Sequence, residues 1–477
     1  MKRLLIFLII STPLIFSGCT SHFEEMNTDP NKVVEINPSS LLSPIIYNTT
    51  TSGISRANGF THELMQYNVP VVSRSFGVHR YEFDLSIGSS MWSSYYRNLT
   101  NINDLVNVAT AKSDNNSLAI GLIIRAWFTS ITTDVFGDIP YQQASSAEQG
   151  ILQPEFDSQE TIYLSILSDL EKANTMLGNN TNAVSGDLLF SGNMGKWKKM
   201  CNSLRLRLLL RTKNVVPGAE AKIKEIINNP ATFPVIDNKQ DDAILKFTNV
   251  SPFNNPFLSA RYRDFSEDFG FSTYFVSKME ALSDPRFYMW ATKSGVANSV
   301  TGYDGILSGY DAETIFQAGR FSSFVAALQS SSQIGAIITC AEVEFIKAEL
   351  ALSGIISSDP ETHYKNGVVA AIERWGLLTP DNYFVNSPAT YNGTLEQIIF
   401  QKYINYLFTD YQAWFEKRRT GYPDFPLTQF MDNGGVMPSR LPYPPQVSFY
   451  NQENYEKAIQ SLGGNDDINK KVWWDKK

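Results

Sequence analysis

Apolar residues recur at intervals of three and four along most of this chain, a spacing typical of packed α-helices. Between Trp92 and Ala111 they fall on one side of a helix, whereas Leu118–Ile131 is apolar all round and is predicted to be a central helix. Further helices are predicted over Ser158–Leu177, Trp197–Thr212, Ser272–Leu282, Thr339–Ser353, Glu361–Gly376 and Leu395–Arg419. The sequence therefore predicts a mostly all-α fold.

The pattern changes between residues 230 and 335, where Pro, Asn, Ser, Gly and aromatic residues dominate. Loops of this length inside a compact protein are more often functional than idle, so this region is expected to carry a ligand-binding face. The helices Thr339–Ser353 and Glu361–Gly376 on its C-terminal side carry alanines at packing positions. They look like tetratricopeptide hairpins, although no clean 34-residue repeat is present.

The N-terminus has the pattern of a lipoprotein export signal. Lys2 and Arg3 precede the apolar run Leu4–Phe16, which is too short for a membrane span of about 20 helical residues. Ser17, Gly18 and Cys19 supply the small residues and the thiol for cleavage and lipidation. We expect residues 1–18 to be removed, Cys19 to carry lipid and residues 19–39 to form a tether; an ordinary secretory signal with a chance cysteine is the alternative.

Net charge limits the classes of ligand that the protein can bind, and the cysteine content bears on its disulfides. The formal net charge of −8 argues against binding to nucleic acid and against electrostatic docking on anionic lipid, so the predicted membrane attachment is the lipid alone. Cys201 and Cys340 both lie in predicted helices and are expected to be buried thiols, with a disulfide between them left open.

The chain offers few groups suited to catalysis. Its four histidines are scattered and predict no zinc site. Asp134 and Asp138 are close enough in sequence to resemble a glycosidase pair, but the favoured interpretation is a helix end followed by a tight turn at Gly137–Tyr141. No catalytic residue, metal site or cofactor is predicted, and a structural calcium is left open.

Three charged groups are interpreted as structural. Glu342, Glu344 and Glu349 are predicted to form a solvated helix face. Lys417, Arg418 and Arg419 are predicted to complement the negative end of a helix dipole, with an anion site as the minority alternative. On Trp197–Thr212, the basic residues Arg205 and Arg211 are predicted to point mostly outward.

Aromatic residues in two loop stretches, Ser73–Phe83 and Gly302–Phe324, suggest a binding site. Sugars present apolar faces that stack on aromatic rings and hydroxyls that bond to polar side chains, and peptides with apolar side chains suit the same kind of surface. The candidate ligand-binding residues are Phe76, His79, Tyr81, Tyr303, Tyr310 and Arg320. Taken singly, each aromatic is more often a core residue than a ligand contact.

Several motifs in a fixed order resemble the SusD/RagB family of outer-membrane lipoproteins, and specifically its SusD-like branch. They begin with Asn27-Thr28-Asp29-Pro30-Asn31 and continue through Phe136–Tyr141, Asn202–Arg207, Asp284-Pro285-Arg286, Ala341–Glu349, Ala413–Pro423 and Pro438–Pro444. The resemblance covers essentially the whole chain after the signal.

The resemblance implies one helical domain over residues 40–477, with 230–335 as its loop-rich face. It further implies a non-enzymatic, surface-facing lipoprotein of the outer membrane. Such proteins act as the lid of a SusC-like TonB-dependent β-barrel transporter and bind an oligosaccharide or, in the alternative, an oligopeptide. Ligand contacts vary within the family, so none is carried over. A surface glycosidase and a protein-binding scaffold are the lesser alternatives.

Overall fold

α-Helices dominate the computed structural model, which describes residues 37–72, 77–178, 183–295 and 302–476. The predicted signal, Cys19, most of the tether and Phe76 lie outside these ranges. In chain order the helices are α1 (Pro38–Arg56), α2 (Ser89–Ala111), α3 (Asn115–Phe136), α4 (Gln159–Met176), α5 (Met194–Arg211), α6 (Ala219–Asn228), α7 (Thr273–Ala281), α8 (Pro285–Trp290), α9 (Cys340–Leu352), α10 (Pro360–Glu373), α11 (Leu395–Asn405), α12 (Gln412–Thr420), α13 (Pro445–Tyr450) and α14 (Gln452–Ser461).

Neighbouring helices in the chain pack on one another. α1 packs on α2, α2 on α3, α3 on α4, α4 on α5 and α5 on α6, while α9 and α10 form a second pair that also packs on α11. α5 also packs on α9 and so connects the N-terminal helices with the second pair. All of these helices belong to one compact unit, Pro38–Lys477. This arrangement confirms the prediction of a mostly all-α fold built from helix pairs.

α3 lies at the centre of this packing, as its uniformly apolar sequence predicts. It is the one helix in the described ranges that is long and apolar enough to suit a membrane span, but 89% of that window is buried inside the domain. A buried helix of this composition is typical of the core of a globular protein.

Observed caps agree with the predicted ends of several helices. Ser158 precedes α4 and accepts a hydrogen bond from the Thr161 N–H at 3.1 Å. α3 ends at Phe136, and Gly137 follows with φ of +87°, a conformation that glycine adopts without strain. The chain bends at Gly137 and Asp138, and the Asp138 carboxylate accepts from the Gln159 N–H at 2.9 Å at the start of α4.

The predicted single helix Leu395–Arg419 is wrong, because the chain breaks between α11 and α12. Phe408 and Asp410 have positive φ values of 65° and 30°. The Phe408 N–H donates to Nε2 of His62 at 3.1 Å, and the Asp410 carboxylate accepts from the Tyr411 N–H at 2.5 Å. These bonds from backbone to side chains replace those of a continuous helix.

The predicted solvated face of glutamates is also wrong. Glu342, Glu344 and Glu349 are buried, because each meets a cation from another element or from the next turn. Glu342 bonds Arg207 of α5 at 2.6 Å, and Glu349 bonds Arg419 of α12 at 2.6 Å. Helical spacing shows which residues share a face, but packing against another helix determines whether that face is exposed to solvent.

Buried arginines in the same part of the domain contradict two further predictions, one for α5 and one for the end of α12. Arg205 and Arg211 are buried rather than outward, since carboxylates of α4 and α3 face them. At the end of α12 only Lys417 acts as predicted, donating to the Gly421 carbonyl at 2.6 Å. Arg418 and Arg419 turn inward, where Arg418 donates to the Asp134 carbonyl at 2.7 Å.

The loop-rich region is held by short β pairings and by backbone hydrogen bonds. β1 (Asn68–Pro70) pairs antiparallel with β3 (Phe269–Phe271), and β2 (Ala243–Ile244) pairs antiparallel with β4 (Ala336–Ile338). The Ile306 N–H donates to the Phe271 carbonyl at 2.9 Å, and the Ser322 N–H donates to the Asp304 carbonyl at 2.9 Å. β3 and the segments around residues 304 and 322 therefore lie side by side.

Candidate functional site

The structure brings the two aromatic loop stretches together. The rings of His79 and Tyr310 stack with centroids 4.5 Å apart, and the Gly309 N–H donates to Nδ1 of His79 at 2.9 Å. Tyr310 also donates from its hydroxyl to the Pro70 carbonyl at 2.7 Å. Beneath them, Val69, Val71 and Ile306 join Tyr310 in a small apolar cluster separate from the main core.

Three of the six predicted binding residues are buried in this region. His79, Tyr81 and Tyr310 expose only 1%, 3% and 4% of their surface. Burial, with the nearby Arg80 charge, lowers the pKa of His79 to about 3, so that its ring is neutral. Rings enclosed in this way present no face to a ligand in this structure, and their contacts position the loops.

Tyr303 and Arg320 are the predicted residues that reach the surface in the described ranges. Tyr303 is half-buried, and its ring lies 5.6 Å from that of Tyr288, which is 46% exposed. Arg320 is exposed, and its carbonyl accepts a hydrogen bond from the Gly295 N–H at 2.8 Å. The Ser294 N–H donates to the Gly302 carbonyl at 2.8 Å, so residues 294–295 connect the segments that carry Tyr303 and Arg320.

Polar groups accompany these tyrosines. The Ser294 hydroxyl donates to the Asp304 carboxylate at 2.9 Å, and the Asp304 N–H donates to the Ser322 hydroxyl at 3.1 Å. We call Tyr288, Ser294, Tyr303, Asp304 and Arg320 the tyrosine surface. It combines two neighbouring rings with a carboxylate, a hydroxyl and a guanidinium, the groups that a sugar or a short peptide requires.

Tyr288 and Ser294 are the members of this surface that the sequence analysis missed, and for Tyr288 a signal was present. Asp284 caps α8 by accepting from the Arg286 N–H at 3.0 Å, and Pro285 occupies the first helical position. Phe287 and Trp290, three residues apart, are buried on one side of α8. Tyr288 lies on the other side of the helix and is left in solvent.

A cavity elsewhere in the domain also carries aromatic rings. This cavity, of about 320 Å³, lies between α7 and α11 and is lined by Tyr274 and Phe400 together with Lys278, Asn392, Glu396 and Gln397. The Tyr274 ring is held edge-on against Phe425 at 5.1 Å, and Lys278 lies over it at 5.6 Å. It contains none of the predicted residues.

The acidic pair that resembled a glycosidase has a structural role. Asp134 is completely buried and accepts hydrogen bonds from Arg211 at 2.5 Å, Tyr163 at 2.7 Å and the indole of Trp474 at 2.6 Å. Burial raises the pKa of Asp134, and Arg211 opposes that rise. A carboxylate enclosed by three side chains cannot reach a glycosidic bond, and Asp138 is engaged by α4.

Comparisons with known proteins agree with this architecture. A family model described as "Starch-binding associating with outer membrane" matches residues 30–444. No curated protein matches the chain. Among solved structures, a chitin-binding protein is 26% identical with a TM-score of 0.79, and the match covers 92% of this chain and 100% of that one.

Two further solved structures are similar over nearly their whole length. A SusD homologue from Bacteroides uniformis is 25% identical with a TM-score of 0.76, covering 92% of this chain and 99% of its own. A chitin-binding SusD homologue from Flavobacterium johnsoniae is 23% identical with a TM-score of 0.78, covering 92% and 98%. At 23% identity the second likeness shows the fold alone.

Proposed function

Since the chain belongs to the SusD-like family, we propose that it is a non-catalytic receptor that binds an oligosaccharide at the outer membrane and serves nutrient uptake. The family model is described as starch-binding, and one relative is a chitin-binding protein. Both polymers are neutral glycans built of rings with apolar faces. The observation that carries the proposal is the pair of neighbouring rings, Tyr288 and Tyr303, at the protein surface.

Within the tyrosine surface each group has a distinct role. Tyr288 and Tyr303 stack on the apolar faces of sugar rings, while Asp304 and Arg320 bond to hydroxyls at their edges. The buried residues His79, Tyr81 and Tyr310 keep the supporting loops in place and affect binding indirectly. Phe76 remains a proposed contact from the sequence alone.

The attachment and the partner follow from the sequence and the family. Lipid on Cys19 holds the protein in the outer membrane, and the surface-facing domain acts as the lid of a SusC-like TonB-dependent β-barrel transporter, to which it delivers the glycan. Replacing Cys19 by serine would release the protein from the membrane fraction. Affinity purification of the lipidated protein would retain the barrel as its partner.

The test is calorimetric titration of residues 20–477 with chito- and malto-oligosaccharides. Tyr288→Ala and Tyr303→Ala should each weaken binding by about 1–3 kcal/mol, since central aromatic anchors contribute this much. Tyr450→Ala, which removes a tyrosine that is 70% exposed on α13, is the matched control and should leave affinity unchanged.

Other outcomes would redirect the proposal. Binding of mixed peptides without glycan binding would favour the oligopeptide receptor. Wild-type affinity in both tyrosine variants, with loss in Tyr274→Ala, would move the site to the cavity between α7 and α11. Release of shortened glycan chains during the titration would restore the enzyme alternative.

A further inference from the structure

A groove of about 380 Å³ runs between α1 and α2 and borders the loop-rich region at Pro256. We call it the arginine groove; it is lined by Tyr47, Asn48, Thr51, Ser52, Ser55 and Arg56 of α1, by Ser90, Ser94, Arg97 and Asn98 of α2, and by Pro256. Every lining residue except Pro256 has a polar side-chain group, and the sequence analysis did not single out any of them.

On this side of the two helices, serine hydroxyls rather than apolar side chains make the contact between α1 and α2. The hydroxyls of Ser52 and Ser94 lie 2.8 Å apart and bridge α1 to α2. The buried apolar residues of the same helices, such as Ile54 and Leu99, face the core instead. The groove therefore exposes hydroxyl and amide groups along its length.

Its charge differs from that of the rest of the protein. Most arginines in the described ranges form an ion pair with a carboxylate, but Arg56, Arg97, Arg320 and Arg374 do not. Two of these four lie in the arginine groove, and no Asp or Glu lines it. On a chain with a net charge of −8, this is a local concentration of positive charge.

The two guanidiniums are held differently. Arg56 donates to the Ser90 hydroxyl at 2.5 Å, which fixes it across the groove from α1 to α2. The Arg97 side chain is exposed and forms no hydrogen bond or ion pair with any residue that the structure describes. Arg56 is thus a positioned cation, while Arg97 keeps its donors for a ligand.

We propose that the arginine groove binds an acidic saccharide unit, one that carries a carboxylate or a sulfate ester. Guanidinium groups bind such oxyanions through paired, charge-assisted hydrogen bonds. The serine, threonine and asparagine side chains both donate and accept, as sugar hydroxyls require. Tyr47 adds a ring face to the groove. Two contacts hold this ring in place: its hydroxyl donates to the Asn254 carbonyl at 2.9 Å, and Phe253 packs edge-on against it at 5.5 Å.

This inference deepens the proposed function and rests on it, since it adds the substrate class that the receptor prefers. A glycan with acidic units would be bound at two places: neutral rings on the tyrosine surface and an acidic unit in the arginine groove. An acidic segment of a partner protein would also be attracted by the two cations. The density of hydroxyl and amide groups favours the saccharide.

The experiment titrates residues 20–477 with three probes of similar length: trigalacturonate, a sulfated trisaccharide and neutral chitotriose. Arg97→Gln should weaken binding of the acidic probes about tenfold, since one charge-assisted hydrogen bond is lost. Binding of chitotriose should not change. Arg263→Gln, which removes an exposed arginine paired with Asp268, is the control and should match the wild type for all three probes.

The probes separate the possible outcomes. Loss with trigalacturonate alone assigns a carboxylate, and loss with the sulfated probe alone assigns a sulfate ester. Binding of acidic probes that Arg97→Gln does not change overturns the inference. A poly-aspartate peptide, titrated as a fourth probe, also overturns it if the peptide binds while both acidic saccharides fail. Binding of chitotriose alone removes this inference and leaves the proposed function, whereas silence from every glycan removes both.

Discussion

Two regions of this domain treat charge in opposite ways. Where α3, α5 and α12 meet, Arg211, Arg418 and Asp134 are buried and bonded to one another or to neighbouring side chains. On the tyrosine surface and in the arginine groove, Arg320 and Arg97 are exposed and lack a carboxylate partner in the described ranges. Burying a charge without a partner is costly. By contrast, an exposed arginine that no carboxylate pairs with keeps its donors available to a ligand.

The largest expected effect is on the buried side of this comparison. Arg211→Met leaves the Asp134 carboxylate buried without its main cation, which should lower the free energy of unfolding by about 3–5 kcal/mol. Urea denaturation measures this loss. Adding Asp134→Asn to the same variant removes the stranded charge and should recover part of it.

If Arg211→Met costs no more than the control Arg263→Gln, the buried pair does not stabilise the domain and the contrast fails. A loss that Asp134→Asn does not reduce would mean that Arg211 acts through its packing on Phe415, which lies 4.9 Å away.

The second prediction concerns His79 in the loop region. Its pKa of about 3 in the folded protein lies below the value of about 6.5 expected in the unfolded chain. Between these values the unfolded chain takes up a proton that the folded protein refuses, so stability falls as the pH falls from 6.5 towards 3. This contribution is at most about 1.4 kcal/mol per pH unit.

Unfolding of the wild type and of His79→Gln, measured across this pH range, isolates the histidine. The wild type should lose stability relative to the variant as the solution is acidified. Arg80 beside the ring and Glu63, which accepts from the His79 N–H at 2.9 Å, are present in both proteins. Parallel pH profiles would show that His79 takes up its proton without unfolding.

A smaller effect is expected from Tyr310→Phe. The variant keeps the stacking on His79 but loses the hydrogen bond to the Pro70 carbonyl, at a cost of about 1 kcal/mol. Thermal unfolding measures this change, with Tyr450→Phe as the exposed control. Because Tyr310 positions loops rather than contacting ligand, glycan affinity should change less than in Tyr303→Ala; an equal loss would make Tyr310 a contact.

The smallest expected change in stability is that of Arg320→Gln. No carboxylate within the described ranges depends on this arginine, so the free energy of unfolding should stay within about 0.5 kcal/mol of the wild type. Glycan affinity should nevertheless fall in calorimetry. A stable variant with full affinity would remove Arg320 from the tyrosine surface.

Local sequence patterns predicted the helices well, because spacing and caps are short-range properties. Ser158 and Gly137 mark helix ends that the structure confirms. The break at Phe408 was missed, since its N–H finds an acceptor in His62, more than three hundred residues away in the chain. Glu342 was misplaced for the same reason, because it is buried against Arg207, which is 135 residues away in the chain.

The candidate site shows the same limit. The structure brings the loop stretches around His79 and Tyr310 together, but aromatic content alone does not distinguish a ring that supports a loop from one that faces solvent. Tyr288 could have been found from the spacing of Phe287 and Trp290 on α8. The arginine groove could not, because Arg56 and Arg97 come together only when α1 packs on α2.

The two cysteines of the folded domain, Cys201 and Cys340, can report local opening of the native structure. Cys201 and Cys340 are free and buried, and burial raises the pKa of each thiol to about 12. Thiol reagents need the thiolate and a path to it, and the native state offers neither. The rate at which a maleimide dye labels the native protein therefore measures how often the packing around Cys201 on α5 or Cys340 on α9 opens, without any introduced probe.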